Sequence, residues 1–403
     1  MLKIVKSKKI GSVPGFKAAG IVSGVKDSGA KDLSLVISEA PAVAAGVFTK
    51  NRVQSPGVVY SKQRLARGKT FKAIIVNSGN ANACTGPQGF EDCQTICESL
   101  ANELEIHPQE TLIASTGIIG VPLPADKIVN SIPCLKKDLS DNGWSRAAQG
   151  IMTTDLVSKF AEVRYKEGQK EIVLAGMAKG SGMINPNMAT MLGFVFTNAN
   201  IDKRSLKSAL KIATDASFNS ITVDGECSTN DCVLVLANGL ANNSKITGSG
   251  SAFSDFVTAL TDLCKTLSQK IVRDGEGATK FVSIVVKGSH SVKEARKAGM
   301  RIANSNLVKT ALFGEDPNWG RIVCAVGDSG ARMNPEKLSV AIEGQPLAQN
   351  GVPVQYSKKK VDRLMKKKEI QIEVNLGVGT QSAEVWTCDF SYDYVKINAE
   401  YTT

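Results

Sequence analysis

The sequence GMAKGSGMINPNMAT, residues 176–190, runs directly into the apolar stretch MLGFVF, residues 191–196. Glycine and asparagine favour turns and loops, because their backbones tolerate conformations that other residues avoid. A short and nearly continuous apolar run is typical of a strand that is buried on both faces. The sequence therefore predicts a loop that delivers a polar residue, Thr190, to the first position of a core strand.

Other short apolar or periodic segments surround this central stretch. Brief β-branched runs predict strands at Leu33–Ile37, Ala73–Val76, Phe281–Val286, Ile322–Val326, Leu338–Ile342 and Ile370–Val374. Apolar residues at helical spacing predict helices at Gly89–Leu104, Ser205–Ala216, Ser251–Ile271, Val292–Ala303 and Lys358–Lys368. Strands and helices do not alternate strictly, which favours layers of mixed sheet and helices over a doubly wound fold.

Composition restricts the partners of the chain. It has 403 residues, of which 42% are hydrophobic and 22% charged, as in ordinary globular proteins. No apolar run is long enough for a membrane span and the first residues lack a signal-peptide pattern, so we expect a cytoplasmic protein with no membrane partner. The net charge of +11 is spread out except for two lysine triplets, at 358–360 and 366–368. With 5% aromatic residues and no nucleic-acid-binding motif, the triplets predict a solvated helix face rather than a nucleic-acid site.

The sequence lacks the signatures of common cofactor and metal enzymes. It has two histidines and nine cysteines, and no CxxC pair occurs, so a histidine-rich metal centre or a zinc ribbon is excluded. The patterns GxGxxG, GxxxxGK[ST], HExxH and GxSxG are also absent, which argues against ordinary dehydrogenases, NTPases, zincins and α/β-hydrolases.

A nucleophile that needs no histidine remains compatible with these exclusions. A threonine at a newly formed N-terminus carries its own base, the free α-amino group, whose pKa is about 7.7–8.0. The pair Ala189-Thr190, behind a Gly/Asn-rich loop, suits attack of the Thr190 hydroxyl on the preceding carbonyl. From the residues alone, an ordinary threonine at the start of a strand stays the alternative.

Residues 179–192, KGSGMINPNMATML, closely resemble the self-processing segment of the ornithine acetyltransferase (glutamate N-acetyltransferase) family of arginine biosynthesis. One departure is Asn185, where many family members carry histidine. The resemblance extends over nearly the whole chain in seven further blocks, at residues 77–86, 114–120, 153–155, 219–231, 274–280, 316–321 and 393–399.

The resemblance implies both an architecture and a site. The fold would be a layered α/β/β/α sandwich with mixed sheets, similar to the DmpA-like fold. Cleavage between Ala189 and Thr190 would give an α chain, residues 1–189, and a β chain, residues 190–403, with two copies of each in the assembly. Thr190 would accept the acyl group, and Thr116 with Gly117 would stabilise the oxyanion. The implied substrate-binding residues are Thr153, Lys179, Thr190, Glu276, Asn398 and Thr403.

These residue types suit amino-acid substrates, because Lys179 supplies a cation for a carboxylate and Glu276 an anion for an ammonium. Which substrate end each one meets stays open, and Glu226 ranks below Glu276 as the acidic residue. Near the C-terminus, Val395, Ile397 and Ala399 alternate with polar residues, which predicts a strand with Asn398 on its opposite face.

The implied reaction moves acetyl from N2-acetyl-L-ornithine to L-glutamate through an acetyl ester on Thr190, with no metal or organic cofactor. The resemblance leaves open whether acetyl-CoA is also a donor. The alternative enzyme class is an N-terminal-nucleophile amidohydrolase or aminopeptidase, which would pass the acyl group to water. A basic nucleic-acid-binding protein is the non-enzymatic alternative.

Overall fold

The computed structural model describes residues 3–7, 11, 13–185 and 191–400. The predicted cleavage junction, Ala189 and Thr190, and the predicted substrate contact Thr403 lie outside these described residues.

Fifteen strands occur in the described ranges: β1 Val5–Ser7, β2 Phe16–Ile21, β3 Leu33–Phe48, β4 Phe71–Asn80, β5 Thr111–Ile118, β6 Lys159–Glu167, β7 Lys170–Lys179, β8 Leu192–Thr197, β9 Cys232–Ala237, β10 Phe281–Ser289, β11 Ser339–Ile342, β12 Gln345–Gln349, β13 Val352–Pro353, β14 Glu369–Asn375 and β15 Gln381–Cys388. The same ranges hold eleven α-helices: α1 Pro56–Arg67, α2 Gly86–Leu104, α3 Ala125–Lys137, α4 Trp144–Gly150, α5 Lys203–Asp215, α6 Ser251–Arg273, α7 Val292–Ala303, α8 Asn306–Phe313, α9 Trp319–Gly327, α10 Lys358–Met365 and α11 Tyr392–Glu400. Every one of these helices is too short or too polar to cross a membrane.

The long strand β3 belongs to two sheets. Its first part, 33–37, pairs with β2 and β4, and its last part, 43–48, pairs with β9. The pairing with β4 changes register between Ile37 and Ala42, where the strand passes from one sheet into the other. The first sheet has the order β2-β3-β4-β5 and the second β1-β6-β7-β8-β9-β3, each with parallel and antiparallel pairs.

The two sheets pack face to face and each carries helices on its outer side. Phe16 on β2 meets Phe196 on β8 with ring centroids 5.4 Å apart, and Trp144 contacts the same ring at 5.4 Å. Helices α2 and α3 cover the first sheet, and α5 and α6 cover the second. The predicted α/β/β/α arrangement with mixed sheets is therefore confirmed. Strand β8, which begins directly after the central loop, is buried at all six positions, as its apolar sequence predicts.

A third sheet, in the order β13-β12-β11-β14-β10-β15, packs against helices α7 to α10 around its own apolar core. It joins the sandwich through β15, where the amide of Thr222 donates to the carbonyl of Trp386 at 3.0 Å. This contact places the loop before β9 against the third sheet, close to the site described below.

Two predicted strands are helices. Residues 322–326 lie inside α9, which begins where the side chain of Asn318 accepts a hydrogen bond from the amide of Arg321. Ile322, Ala325 and Val326 are buried in it at helical spacing, so the β-branched composition was misleading. Residues 395–399 lie inside α11, and the strand predicted there from their alternation is wrong.

Candidate active site

A cavity of about 200 Å³ opens where β5 and β7 end, and loops from both halves of the chain complete it. Every predicted site residue that the structure describes lines this cavity: Thr116, Gly117, Thr153, Lys179, Glu276 and Asn398. Residues separated by almost three hundred positions in the sequence are thus brought together, although their assigned roles stay predictions.

Thr116 and Gly117 sit at the end of β5, beside the parallel strand β4. Gly117 has a φ of +135°, and a Cβ there would lie 2.3 Å from the backbone carbon of Gly79. Only glycine fits this close approach of two backbones. The end of β5 therefore has a backbone conformation that requires glycine, and this conformation is compatible with amide donors that face the cavity.

Lys179, the last residue of β7, is 9% exposed, and its ammonium donates a hydrogen bond of 3.2 Å to the hydroxyl oxygen of Thr116. Because that oxygen accepts from Lys179, the Thr116 hydroxyl proton is available to a different acceptor. Burial lowers the pKa of Lys179, and the neighbouring carboxylate of Asp155 opposes this change.

A buried ionic network of Lys159, Asp155 and Asp274 lies next to Lys179. The Lys159 ammonium lies 2.5 Å from carboxylate oxygens of both Asp155 and Asp274, and the Lys159 side chain is fully buried. Asp155 also accepts hydrogen bonds from the amides of Gly180, at 2.7 Å, and Thr153, at 3.0 Å. Burial disfavours the charged form of Asp155, but Lys179 and Lys159 outweigh it and lower the pKa of this carboxyl. The network fixes both the Thr153 loop and the end of β7.

Glu276 contributes a buried carboxylate to the cavity. The side-chain amide of Asn398 donates a hydrogen bond of 2.8 Å to this carboxylate. Its carboxylate lies over Gly182, where a Cβ would come within 2.3 Å of it. Glu226, ranked below Glu276 in the sequence analysis, also lines the cavity but is exposed. Glu276 is thus buried and Glu226 exposed, which agrees with the higher rank of Glu276 in the sequence analysis.

Asp224 is a site residue that sequence reasoning missed. Its carboxylate accepts hydrogen bonds from the amides of Met183, at 2.6 Å, and Ile184, at 2.8 Å, and from the Tyr394 hydroxyl at 3.3 Å. Burial raises the pKa of Asp224, although these amide donors oppose the change. The repeated Asp-Gly-Glu at residues 224–226 and 274–276 was the available signal, since both repeats contribute residues to this region. The sequence also gave no role to Asp155, Lys159 or Tyr394.

Both flanks of the undescribed segment 186–190 are held beside the cavity. The carbonyl of Ile184 accepts from the Thr222 hydroxyl at 2.8 Å and from the Val223 amide at 2.9 Å. The carbonyl of Met191 accepts from the amide of Cys232 at 3.2 Å, two residues after Asn230, which lines the cavity. The loop before β9 and the first residue of β9 therefore hold the chain on the two sides of the predicted cleavage junction.

Comparison with known proteins identifies the family to which this site belongs. The ArgJ family model matches residues 17–403. This chain belongs to the ArgJ family. The family predicted from the sequence is confirmed, and the glutamate N-acetyltransferase (ornithine acetyltransferase) class of enzyme with it.

Individual ArgJ proteins are similar over nearly their full length. The chain is 46% identical over 391 residues to the arginine biosynthesis bifunctional protein ArgJ of Symbiobacterium thermophilum, covering 96% of this chain and 97% of the relative. It is 44% identical over 399 residues to the protein of the same name in Caldanaerobacter subterraneus subsp. tengcongensis, covering 98% of each chain. A crystal structure of the arginine biosynthesis bifunctional protein argJ from Bacillus halodurans is 43% identical, with a TM-score of 0.50. That match covers 52% of this chain and 98% of the crystallised chain.

Proposed function

We propose that this chain cleaves itself between Ala189 and Thr190 and then transfers acetyl from N2-acetyl-L-ornithine to L-glutamate through an ester on Thr190. The observation that carries the proposal is the contact of Lys179 with Thr116 in a cavity that also holds the Glu276 carboxylate. A hydroxyl donor, a cation and a carboxylate converge there, and the flanks of the Ala189-Thr190 junction are fixed next to them.

The size of the solved Bacillus halodurans chain supports the cleavage step. The share of this chain that it matches, 52% of 403 residues, is about 210 residues, and the match covers almost all of that crystallised chain. Cleavage before Thr190 would leave 214 residues in the β chain. A relative that crystallised as a chain of this length fits a family whose members are processed.

Acyl transfer then needs only groups of the chain itself. The α-amino group of Thr190 takes the proton from its own hydroxyl, whose oxygen attacks the acetyl carbonyl of the donor. The tetrahedral oxyanion accepts hydrogen bonds from the Thr116 hydroxyl and the Gly117 amide, each worth about 2.7–4 kcal/mol at comparable sites. Collapse returns the proton to the departing α-amine of ornithine and leaves acetyl-Thr190. The α-amine of glutamate attacks that ester by the reverse sequence, so neither a metal nor an organic cofactor takes part.

The charges of the cavity suit the proposed donor, N2-acetyl-L-ornithine. Among the lining residues that the structure describes, Lys179 is the only cation, so it is the partner for the α-carboxylate of donor and acceptor alike. Glu276, Asp224 and Glu226 form an acidic wall, which suits the side-chain ammonium of ornithine. We therefore propose that Lys179 meets the α-carboxylate and Glu276 the side-chain ammonium of ornithine.

The experiment combines mass and kinetics on the purified protein. Two polypeptides with the mass of residues 1–189 and 190–403 are expected, and Thr190→Ala should give one intact chain. Initial rates with both substrates should give parallel double-reciprocal lines, and withholding glutamate should leave an acetyl group on Thr190. Intersecting lines would contradict the double displacement. Steady acetylornithine consumption without glutamate would instead identify the amidohydrolase, since its acceptor is water.

Three finer points belong to the same proposal. Acetyl-CoA, tested separately as the donor, should also acetylate glutamate. The processed protein should elute as two α and two β chains in light-scattering chromatography. We also place the enzyme in the cytoplasm, where fractionation of the source cells should recover it.

A further inference from the structure

A second cleft lies along the open edge of β3, between helices α1 and α5. The last part of this strand pairs with β9 on one side, and within the described ranges no strand pairs with its other side. Two adjoining cavities of about 350 and 500 Å³ occupy this edge and share residues of β3, α1 and α5. Six cationic side chains line them: Lys50, Lys62, Lys203, Arg204, Lys207 and Lys211.

The cleft has almost no compensating negative charge. Asp215 is the one acidic residue among its described lining residues, and Lys211 already forms an ion pair with it at 2.6 Å. Within the part of the chain that the structure describes, the side chains of Lys50, Arg204 and Lys207 have no hydrogen-bond or ion-pair partner. Gathered like charges repel one another, and a bound anion would relieve that repulsion.

Backbone donors also face this cleft. The amide of Thr49 donates to the carbonyl of Asp231 at 2.9 Å, on the β9 side of the strand. Because successive residues of a strand direct their amides to opposite edges, the amides of Gly46 and Phe48 point to the open edge. Backbone amides between lysine side chains are the combination with which proteins commonly bind phosphate groups.

The shape of the cleft favours a small ligand over an extended peptide. The ammonium of Lys203, on α5, donates to the carbonyls of Leu65, at 2.7 Å, and Gly68, at 2.8 Å, at the end of α1. These two bonds tie the helices together across the strand edge and close the cleft at one end. Cavities of this volume suit a compact ligand.

We propose that this cleft is a binding site for a small phosphorylated ligand with two or more adjacent negative charges, separate from the catalytic cavity. Lys207 and Arg204 provide the unpaired cations, and the edge of β3 provides amide donors. Pyrophosphate and a nucleoside diphosphate share the recognised chemistry, so both serve as probes. The competing explanation is that the lysines only protect an open sheet edge from pairing with other chains, and it predicts no ligand.

The test is calorimetric titration of the processed enzyme with pyrophosphate and, separately, with ADP. We expect saturable binding with one site per αβ unit. Loss of two charged contacts in the double variant R204Q/K207Q should weaken binding by about tenfold or more. The matched control K358Q/K359Q removes the same charge from exposed positions on α10 and should bind as the wild type does. Thermal unfolding should show that both double variants are folded.

Each outcome decides the proposal. Tighter binding of ADP than of pyrophosphate would show that the site also recognises a nucleoside, and equal affinities would show recognition of the phosphates alone. Absence of saturable binding to the wild type would overturn the proposal, as would equal weakening in the α10 control. A folded Lys179→Met variant should still bind pyrophosphate, and loss of binding there would place the anion in the catalytic cavity instead.

Discussion

The ammonium of Lys179 and the hydroxyl of Thr116 are joined by a hydrogen bond of 3.2 Å at the wall of the candidate active-site cavity. Lys179 is the donor in this bond, so the Thr116 oxygen is occupied and its proton is directed elsewhere. A lysine proposed to hold the substrate carboxylate therefore also positions the hydroxyl that is proposed to stabilise the oxyanion. The proposed mechanism therefore couples substrate binding to transition-state stabilisation through this single contact.

Replacement of Thr116 by valine should lower kcat while leaving KM for acetylornithine nearly unchanged. The substitution keeps the shape of the side chain but removes the oxyanion donor, and loss of one such donor costs about 10²–10³ in kcat. Lys179→Met should lower kcat and also raise KM, because it removes the carboxylate partner as well. Steady-state kinetics of the two variants measure this difference. Equal changes of KM in both would contradict the division of roles.

The pH dependence of kcat/KM should be bell-shaped. Activity should rise as the α-amino group of Thr190 loses its proton, at about pH 7.7–8.0. It should fall again as Lys179 loses its proton, because the neutral amine no longer offers a positive charge to the substrate carboxylate. Since burial lowers the pKa of Lys179, this alkaline limb should lie below 10.5. In Lys179→Arg the guanidinium stays charged, so the alkaline limb should vanish even if the rate is reduced. An unchanged limb in that variant would assign it to another group.

Lys159→Met should lower the free energy of unfolding by about 3–5 kcal/mol, because it leaves the buried carboxylate of Asp274 without its ion-pair partner and Asp155 with Lys179 alone. The control is Lys211→Met, which breaks an exposed pair with Asp215 and should cost at most about 0.5 kcal/mol. Urea denaturation of both variants gives the comparison. A small effect at Lys159 would mean that the two carboxylates are not held as the structure indicates.

Gly182→Ala should raise KM for acetylornithine several-fold while the unfolding midpoint changes little. A Cβ at this position would meet the Glu276 carboxylate at 2.3 Å, and the flexible side chain can move away from it. That movement would break the bond from Asn398 and remove the acidic partner of the substrate ammonium. Gly327→Ala, where a Cβ meets nothing within 4 Å, is the control and should leave both quantities unchanged. An unaltered KM in Gly182→Ala would show that Glu276 does not bind substrate.

Apolar periodicity reports burial directly, and the elements it predicts are β3, β4, β8, β10, β11 and β14 and helices α2, α5, α6, α7 and α10. The α/β/β/α layers follow from the family resemblance instead. The β-branched residues Ile322 and Val326 predict a strand, whereas the capping residue Asn318 indicates the helix that the structure contains. The contacts around the site could not be predicted from the sequence. Lys159 and Asp274 interact because β6 folds against α6, and no local pattern encodes that proximity. Burial, which distinguishes Glu276 from Glu226, likewise depends on tertiary packing.

Residues 395–399 belong to helix α11 and not to the predicted strand. The prediction that the C-terminus contributes to substrate binding is kept, but for a different reason. In helix α11, Tyr394 and Asn398 lie one turn apart and bond to Asp224 and Glu276, so helical spacing directs both to the cavity. Apart from Tyr394 and the half-buried Ile397, the side chains of α11 are exposed, and these two bonds link the helix to the loops that line the cavity. We therefore expect the residues that follow α11 to influence substrate binding.

Deletion of residues 401–403 should raise the apparent KM for acetylornithine or glutamate, whereas terminal residues ordinarily tolerate loss. Cleavage at Ala189–Thr190 should proceed normally, because the proposed cleavage step uses only the central loop and the end of β5. Mass spectrometry and steady-state kinetics on the truncated protein separate the two effects. Asn398→Ala is the internal comparison, since it removes the bonds of this amide to Glu276 and to the Tyr394 carbonyl and should raise KM by itself. If the truncated protein keeps its KM while Asn398→Ala does not, α11 alone completes the cavity and Thr403 is not a substrate contact.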